Sequence, residues 1–288
     1  MNTPERAQDA PGSTTAGQVM PIRPSEVTDW LRCPRLWQYK HVEHWQAPGS
    51  SWTPERLMGT AIHAGLAAFW RPVEHLGGNP QALKEIFQAG WPEDAPPEFS
   101  REGLEAQALK VLDTVYKWIP KNIPDAEPVM VEQALDADGH TTPDLVTREP
   151  IGLVVTDWKY SHHVDPDRVR YRLEGIDRVH QFNHYVWAVG EYLKEPVRLF
   201  RKVVIIGGPK IMVKAAEFTP TVEGTAQWLE GAREMWTQMA EMRAGSRVTY
   251  QRPEGCKPFG DKWPCFAWEA CWTCYGDREK MAQFLVRS

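Results

Sequence analysis

The chain has 288 residues, a formal net charge of −5, 42% apolar and 25% charged residues. Such values belong to a globular protein with a sizeable core and exclude a global attraction to nucleic acid or anionic membrane, so a polyanionic partner would need a local basic patch or bridging metal ions. No apolar run approaches a membrane span and the N-terminus lacks a signal-peptide pattern, so no membrane association and a reducing, cytoplasmic location are expected.

Residues 1–20 are rich in Pro, Gly, Ser, Thr and Ala and are expected to form a disordered tail. Order is expected to begin near Pro24, with Ser25 capping a helix from Glu26. Pro34 interrupts that helix directly after Cys33, and RLWQYKHV continues it to about residue 42. Helices are expected over about 54–69, which holds GTAIHAGLAAFW, and over about 98–118, where apolar residues recur at helical spacing. A loop with a short helix joins them.

The periodicity then changes. PVMVEQALDA, PDLVTR and GLVVTDWKYS are short β-branched runs separated by turn residues and predict a three-stranded meander. GLVV should be central, because its unbroken apolar run implies cover on both faces. A helix over about 179–193 follows an Arg-rich connection. RKVVIIGG-PKIMVKAAEF then predicts a hairpin and residues 221–244 a long helix. The order implies one α/β domain around a mixed sheet flanked by helices. We divide the chain into a tail (1–20), a main domain (21–250) and a cysteine-rich C-terminal lobe (251–288).

Asp144 and Asp157 stand at ends of adjacent strands, and Lys159 lies two residues beyond Asp157. Side chains at i and i+2 of a strand share a face, so Asp157 and Lys159 face one way and Trp158 the other. A meander lets Asp144 approach the same side. Two nearby carboxylates repel unless protonated or bridged by a cation, and hard oxygen ligands suit Mg²⁺ or Mn²⁺. Taken alone, D-x-K also describes a salt bridge at a strand end.

The residues around it add to that motif. PDLV precedes VTDWKYS by a short gap, Glu132 sits in VMVEQAL, His63 in GTAIH lies on a predicted helix, and Gln181 and Tyr185 are four apart on the next one. In this order the set resembles the PD-(D/E)XK nuclease superfamily, and within it the RecB-like nucleases, which include CRISPR-associated and phage exonucleases. The resemblance runs from RPSEVTDWLRCPRLWQYK to the terminal cysteines. It implies a restriction-endonuclease-like α/β core. His63, Asp144 and Asp157 would be metal ligands, with the Trp158 carbonyl as a further one. Lys159 would be the catalytic lysine, and Gln181 and Tyr185 the Q-x-x-x-Y pair that supports it and contacts nucleic acid. Glu132 matches less well and stands as an outer candidate. Pro143 precedes Asp144 where RecB-like members often carry Gly.

Of five cysteines, Cys33 stands alone, whereas Cys256, Cys265, Cys271 and Cys274 crowd the end. Unaided, the late four could form a zinc site, though only one C-x2-C pair appears. The resemblance implies instead a [4Fe–4S] cluster held by one cysteine before the core and three after it. These would be Cys33, Cys256, Cys265 and Cys271, with Cys274 as the alternative, tying the C-terminal lobe to the N-terminal helix. Arg168, Arg170 and Arg172 alternate in RVRYRLEG and could neutralise phosphates. Trp30, Trp37, Tyr39, Trp45 and Trp52 could stack on bases or pack in the core.

The expectation is a Mg²⁺- or Mn²⁺-dependent DNA nuclease, with exonuclease action preferred, acting on single strands or duplex ends. A non-catalytic DNA-binding or assembly module, and a spacer-processing nuclease working in a partner complex, are the alternatives. No phosphate-cradling G-x-x-x-x-G-K-[ST] occurs, so a helicase or recombination partner would be a separate chain.

Overall fold

The computed structural model describes residues 23–46, 53–71, 80–91, 99–136, 141–162, 169, 173, 177–246, 267, 271, 278–283 and 285–287. The expected tail, Trp52, Arg168, Arg170, Arg172, Cys256, Cys265 and Cys274 lie outside the described residues.

The first helix, α1 (Pro24–Arg32), begins before the point where the Ser25 cap would place it. Its N-cap is Arg23 rather than Ser25, two residues earlier, without a side-chain cap bond, and Pro24 takes the first helical position, where a missing N–H costs nothing. Cys33 is extended, and α2 (Pro34–Trp37) runs into a π-helical turn, Gln38–Val42. A two-residue strand, β1 (Trp45–Gln46), follows. Next come α3 (Pro54–Trp70), capped by the Thr53 hydroxyl, α4 (Pro80–Gly90) and α5 (Arg101–Asn122), capped by Ser100. α5 outruns the expected end at 118 and carries Pro120 in its last turn.

The strands are β2 (Glu127–Val131), β3 (Leu145–Glu149), β4 (Gly152–Ser161), β5 (Val197–Ile206) and β6 (Met212–Phe218). Helix α6 (Asp177–Leu193) connects β4 to β5, and α7 (Val222–Arg243) follows β6. The five strands form one sheet in the order β2-β3-β4-β5-β6. All pairs are antiparallel except β4–β5, whose crossover through α6 makes it parallel. The meander and the central place of GLVV are as expected.

Each sheet face has its own core. On one side Trp158, Tyr160, Val203 and Ile205 pack with Ile62 of α3 and Leu112 of α5. The two helices approach so closely that a Cβ on Gly65 would come within 2.5 Å of the Leu112 side chain. On the other side Val155 and Phe200 meet Tyr185, Val186 and Val189 of α6. α7 covers α6 through Trp228 and Ala232, and its far end receives Trp30 and Trp37. There Glu26 accepts from Trp37 Nε1 at 3.2 Å and from Arg243 at 2.6 Å.

The remaining elements are α8 (Arg278–Met281) and β7 (Val286–Arg287). β7 pairs antiparallel with β1, and Cys33, Leu36, Tyr39 and Trp45 share a cluster with Ala267, Cys271 and Leu285. Trp30, Trp37, Tyr39 and Trp45 are all buried and serve the core, with no face left for stacking on bases.

Candidate active site

Three elements converge at one end of the β2-β3-β4 meander. α3 carries His63 towards the sheet, and Asp144 immediately precedes β3. Glu132 immediately follows β2. Its backbone is left-handed (φ 45°), and its N–H donates to the Asp144 carbonyl at 3.1 Å, which pins the two acidic residues side by side.

His63 Nδ1 lies 3.2 Å from Glu132 Oε1 and 3.6 Å from Asp144 Oδ1. One ligand atom from each of these three residues falls within 4.8 Å of the others, the only such group of three among the described residues. The second Asp144 oxygen accepts from the Trp158 backbone N–H at 2.7 Å. An imidazole with two carboxylates is a donor set that fits Mn²⁺ or Mg²⁺.

Asp157 does not join this group. Its carboxylate is fully buried, and Oδ1 accepts from Lys159 Nζ at 2.6 Å and from Gln181 Nε2 at 2.9 Å. Oδ2 accepts no hydrogen bond, though Lys202 Nζ stands 3.7 Å away. Lys202 faces Asp157 because the parallel register places the two residues opposite each other on β5 and β4. Gln181, one turn before Tyr185 on α6, reaches the same oxygen as the lysine, while Tyr185 donates to the Thr142 carbonyl at 3.2 Å. Trp158 points to the opposite face, edge-on to Trp118.

The electrostatics are those of crowded carboxylates. Burial pushes Asp144 up to about 6, with the Asp157 charge adding to it and Lys159 opposing. Burial would lower His63, but the bond to Glu132 and the charge of Asp144 outweigh it and raise the imidazole. Burial likewise works against the Lys159 ammonium, yet Asp157 and Asp144 raise it, so it stays charged. The cluster opens into a cavity of about 560 Å³ lined by Arg56, Gly59, His63, Glu132 and Lys159 among others.

The sequence-predicted residues thus divide into a His63–Glu132–Asp144 group and a Lys159–Asp157–Gln181 group, bridged by the Trp158 backbone. Glu132, an outer candidate by sequence, stands with His63 and Asp144. Lys202 is absent from the sequence-predicted set, because only the parallel pairing of β4 with β5 brings it to Asp157. Cys33 and Cys271 share one buried cluster beside Tyr39, whose hydroxyl is pushed up to about 12 by burial and by Cys271.

A family model described as the PD-(D/E)XK nuclease superfamily matches residues 22–261. No curated protein matches the chain. Among solved structures, that of a candidate exonuclease from Eubacterium rectale is 12% identical. The match covers 84% of this chain and 91% of that one, with a TM-score of 0.48. Among the described residues no helix is long and apolar enough to cross a membrane.

Proposed function

The chain belongs to the PD-(D/E)XK nuclease superfamily, and from that premise we propose that it is a Mg²⁺- or Mn²⁺-dependent deoxyribonuclease of the RecB-like type, acting as an exonuclease. The observation that carries this reading is the His63–Glu132–Asp144 group beside the Lys159–Asp157 pair.

His63, Glu132 and Asp144 would hold the metal, with Asp157 and the Trp158 carbonyl as the further ligands that the family resemblance implies. Once bound, the ion would polarise a phosphoryl oxygen and lower the pKa of its water. Lys159 lines the cavity with its ammonium fixed by Asp157, so it can donate to a phosphate oxygen and orient the attacking water. Gln181 binds the same carboxylate oxygen and restricts its rotation, which holds the lysine in register. Tyr185 braces the segment before Asp144 through the Thr142 carbonyl. Arg168, Arg170 and Arg172 would bind flanking phosphates.

The second cofactor we assign is a [4Fe–4S] cluster on Cys33, Cys256, Cys265 and Cys271, with Cys274 as the alternative to one of the late three. The burial of Cys33 and Cys271 in one cluster supports it. In this reading residues 21–250 are the nuclease domain and 251–288 the iron–sulfur lobe, and the protein works in the cytoplasm.

The test is cleavage of end-labelled single- and double-stranded DNA, with Mg²⁺ or Mn²⁺, by anaerobically purified wild type and Lys159→Ala. Metal-dependent shortening from an end by wild type alone supports the reading. No cleavage, or equal cleavage by both, overturns it. Iron and acid-labile sulfide in a ratio near one, lost in Cys33→Ser, would support the cluster, whereas stoichiometric zinc would refute it.

A further inference from the structure

Next to the active-site cavity lies a second depression of about 460 Å³, between α3 and α4. The two share Arg56 and Thr60, so they form one groove that begins at His63 and runs back along α3 towards its N-terminus. Its floor is apolar, from Leu57, Ile86 and Ala89, and its edge polar, from Thr53, Arg56 and Thr60. An apolar floor beside a cationic, hydroxyl-bearing edge matches a nucleotide, whose base has an apolar face and whose backbone is anionic.

Gly59 points to a ligand independently. It sits inside α3, where glycine is the least favourable residue apart from proline. A Cβ added there would meet nothing within 4 Å, so no internal contact requires the glycine. It lines the cavity between Arg56 and His63. Open space over a helical glycine at the floor of a groove lets another backbone approach closely.

We propose that one strand of a nucleic acid lies along this face of α3, its backbone crossing Gly59 with Arg56 on a phosphate, and the neighbouring base unstacked into the α3–α4 depression. This rests on the nuclease reading and deepens it, because a base in that depression cannot remain paired. The substrate class is therefore single-stranded DNA or an opened duplex end.

Binding is measured apart from cleavage, with a fluorescent single-stranded oligonucleotide and its duplex in Ca²⁺ buffer, using the full chain. Expected are preference for the single strand, slight weakening by Gly59→Ala, and loss on the order of tenfold or more by Gly59→Leu. Arg56→Gln should lower the salt slope by about 0.7, the value of one phosphate contact on a single strand. Arg56 is exposed, so this variant keeps the test valid if Gly59→Leu unfolds. Unchanged binding in the soluble variants, tighter duplex binding, or no binding by wild type overturns the proposal. Wild type that binds as described without cleaving refutes the nuclease reading and leaves the groove standing.

Discussion

Lys159 donates to Asp157 across 2.6 Å, whereas Asp144 sets one oxygen 3.6 Å from His63 Nδ1 and the other on the Trp158 N–H. The two acidic residues are thus held by different partners before any metal arrives. Lys159→Met should therefore leave His63, Glu132 and Asp144 in place while removing the cation that faces the phosphate. The expected loss in kcat is about 10²–10³-fold, the scale of one preorganised electrostatic contact. Mn²⁺ affinity, measured by titration calorimetry, should change little; a loss of affinity as large as the loss in rate would show that the lysine acts through the metal.

Glu132 would hold the metal with His63 and Asp144 in the proposed site, so Glu132→Gln should weaken Mn²⁺ binding by at least the ~10–100-fold typical of losing a group that only supports a ligand. Glutamine has the same shape and preserves the left-handed backbone at this position about as well as glutamate does. Unchanged affinity in this variant would place Glu132 outside the coordination sphere.

The central strand was legible because GLVV admits no polar face, and the lysine was legible because a strand puts i and i+2 together. Glu132 could not be ranked from sequence, since its position depends on a left-handed turn and a backbone bond to Asp144 twelve residues away. Lys202 depends on the parallel register set by the α6 crossover, which no local pattern encodes. The helix ends moved for local reasons. Pro24 outcompeted Ser25 as a starting signal, and α5 tolerates Pro120 in its last turn.

Acid should weaken metal binding. Asp144 titrates at about 6, raised by burial above all, and binds metal only when ionised. Between pH 7 and pH 5 its ionised fraction falls about tenfold, so Mn²⁺ affinity should fall by at least that factor. His63 is also raised, which steepens the fall below pH 7. Titrations at pH 5, 6 and 7 check this, and an affinity independent of pH would contradict it.

Lys202 puts a second, almost buried cation beside Asp157. Lys202→Met leaves the Asp157 charge to Lys159 and Gln181 alone, and should lower stability by about 1–3 kcal/mol. Lysine 159 would then be held more tightly by the carboxylate, so kcat should fall more than KM changes. Lys202→Arg should recover most of both. Denaturant unfolding and steady-state kinetics on the pair decide it; a loss of stability with unaltered kcat would confine Lys202 to the fold.

His184 sets an acid limit of its own. It is buried against Trp187 and Trp228, with Nε2 2.8 Å from the Thr141 hydroxyl, and burial lowers its pKa to about 4. A histidine depressed in the folded state takes up protons more readily when unfolded. Its contribution is therefore complete above the unfolded value of about 6.5 and is lost as pH falls towards 4. Between pH 7 and pH 4.5 the loss amounts to about 2 kcal/mol. Asp144, raised rather than lowered, works in the opposite direction over much of the same range, so the wild-type curve alone would hide the effect. The difference between wild type and His184→Gln isolates it. Urea unfolding at both pH values should show wild type losing about 2 kcal/mol more than the variant, and parallel losses would mean that His184 charges without cost in the fold.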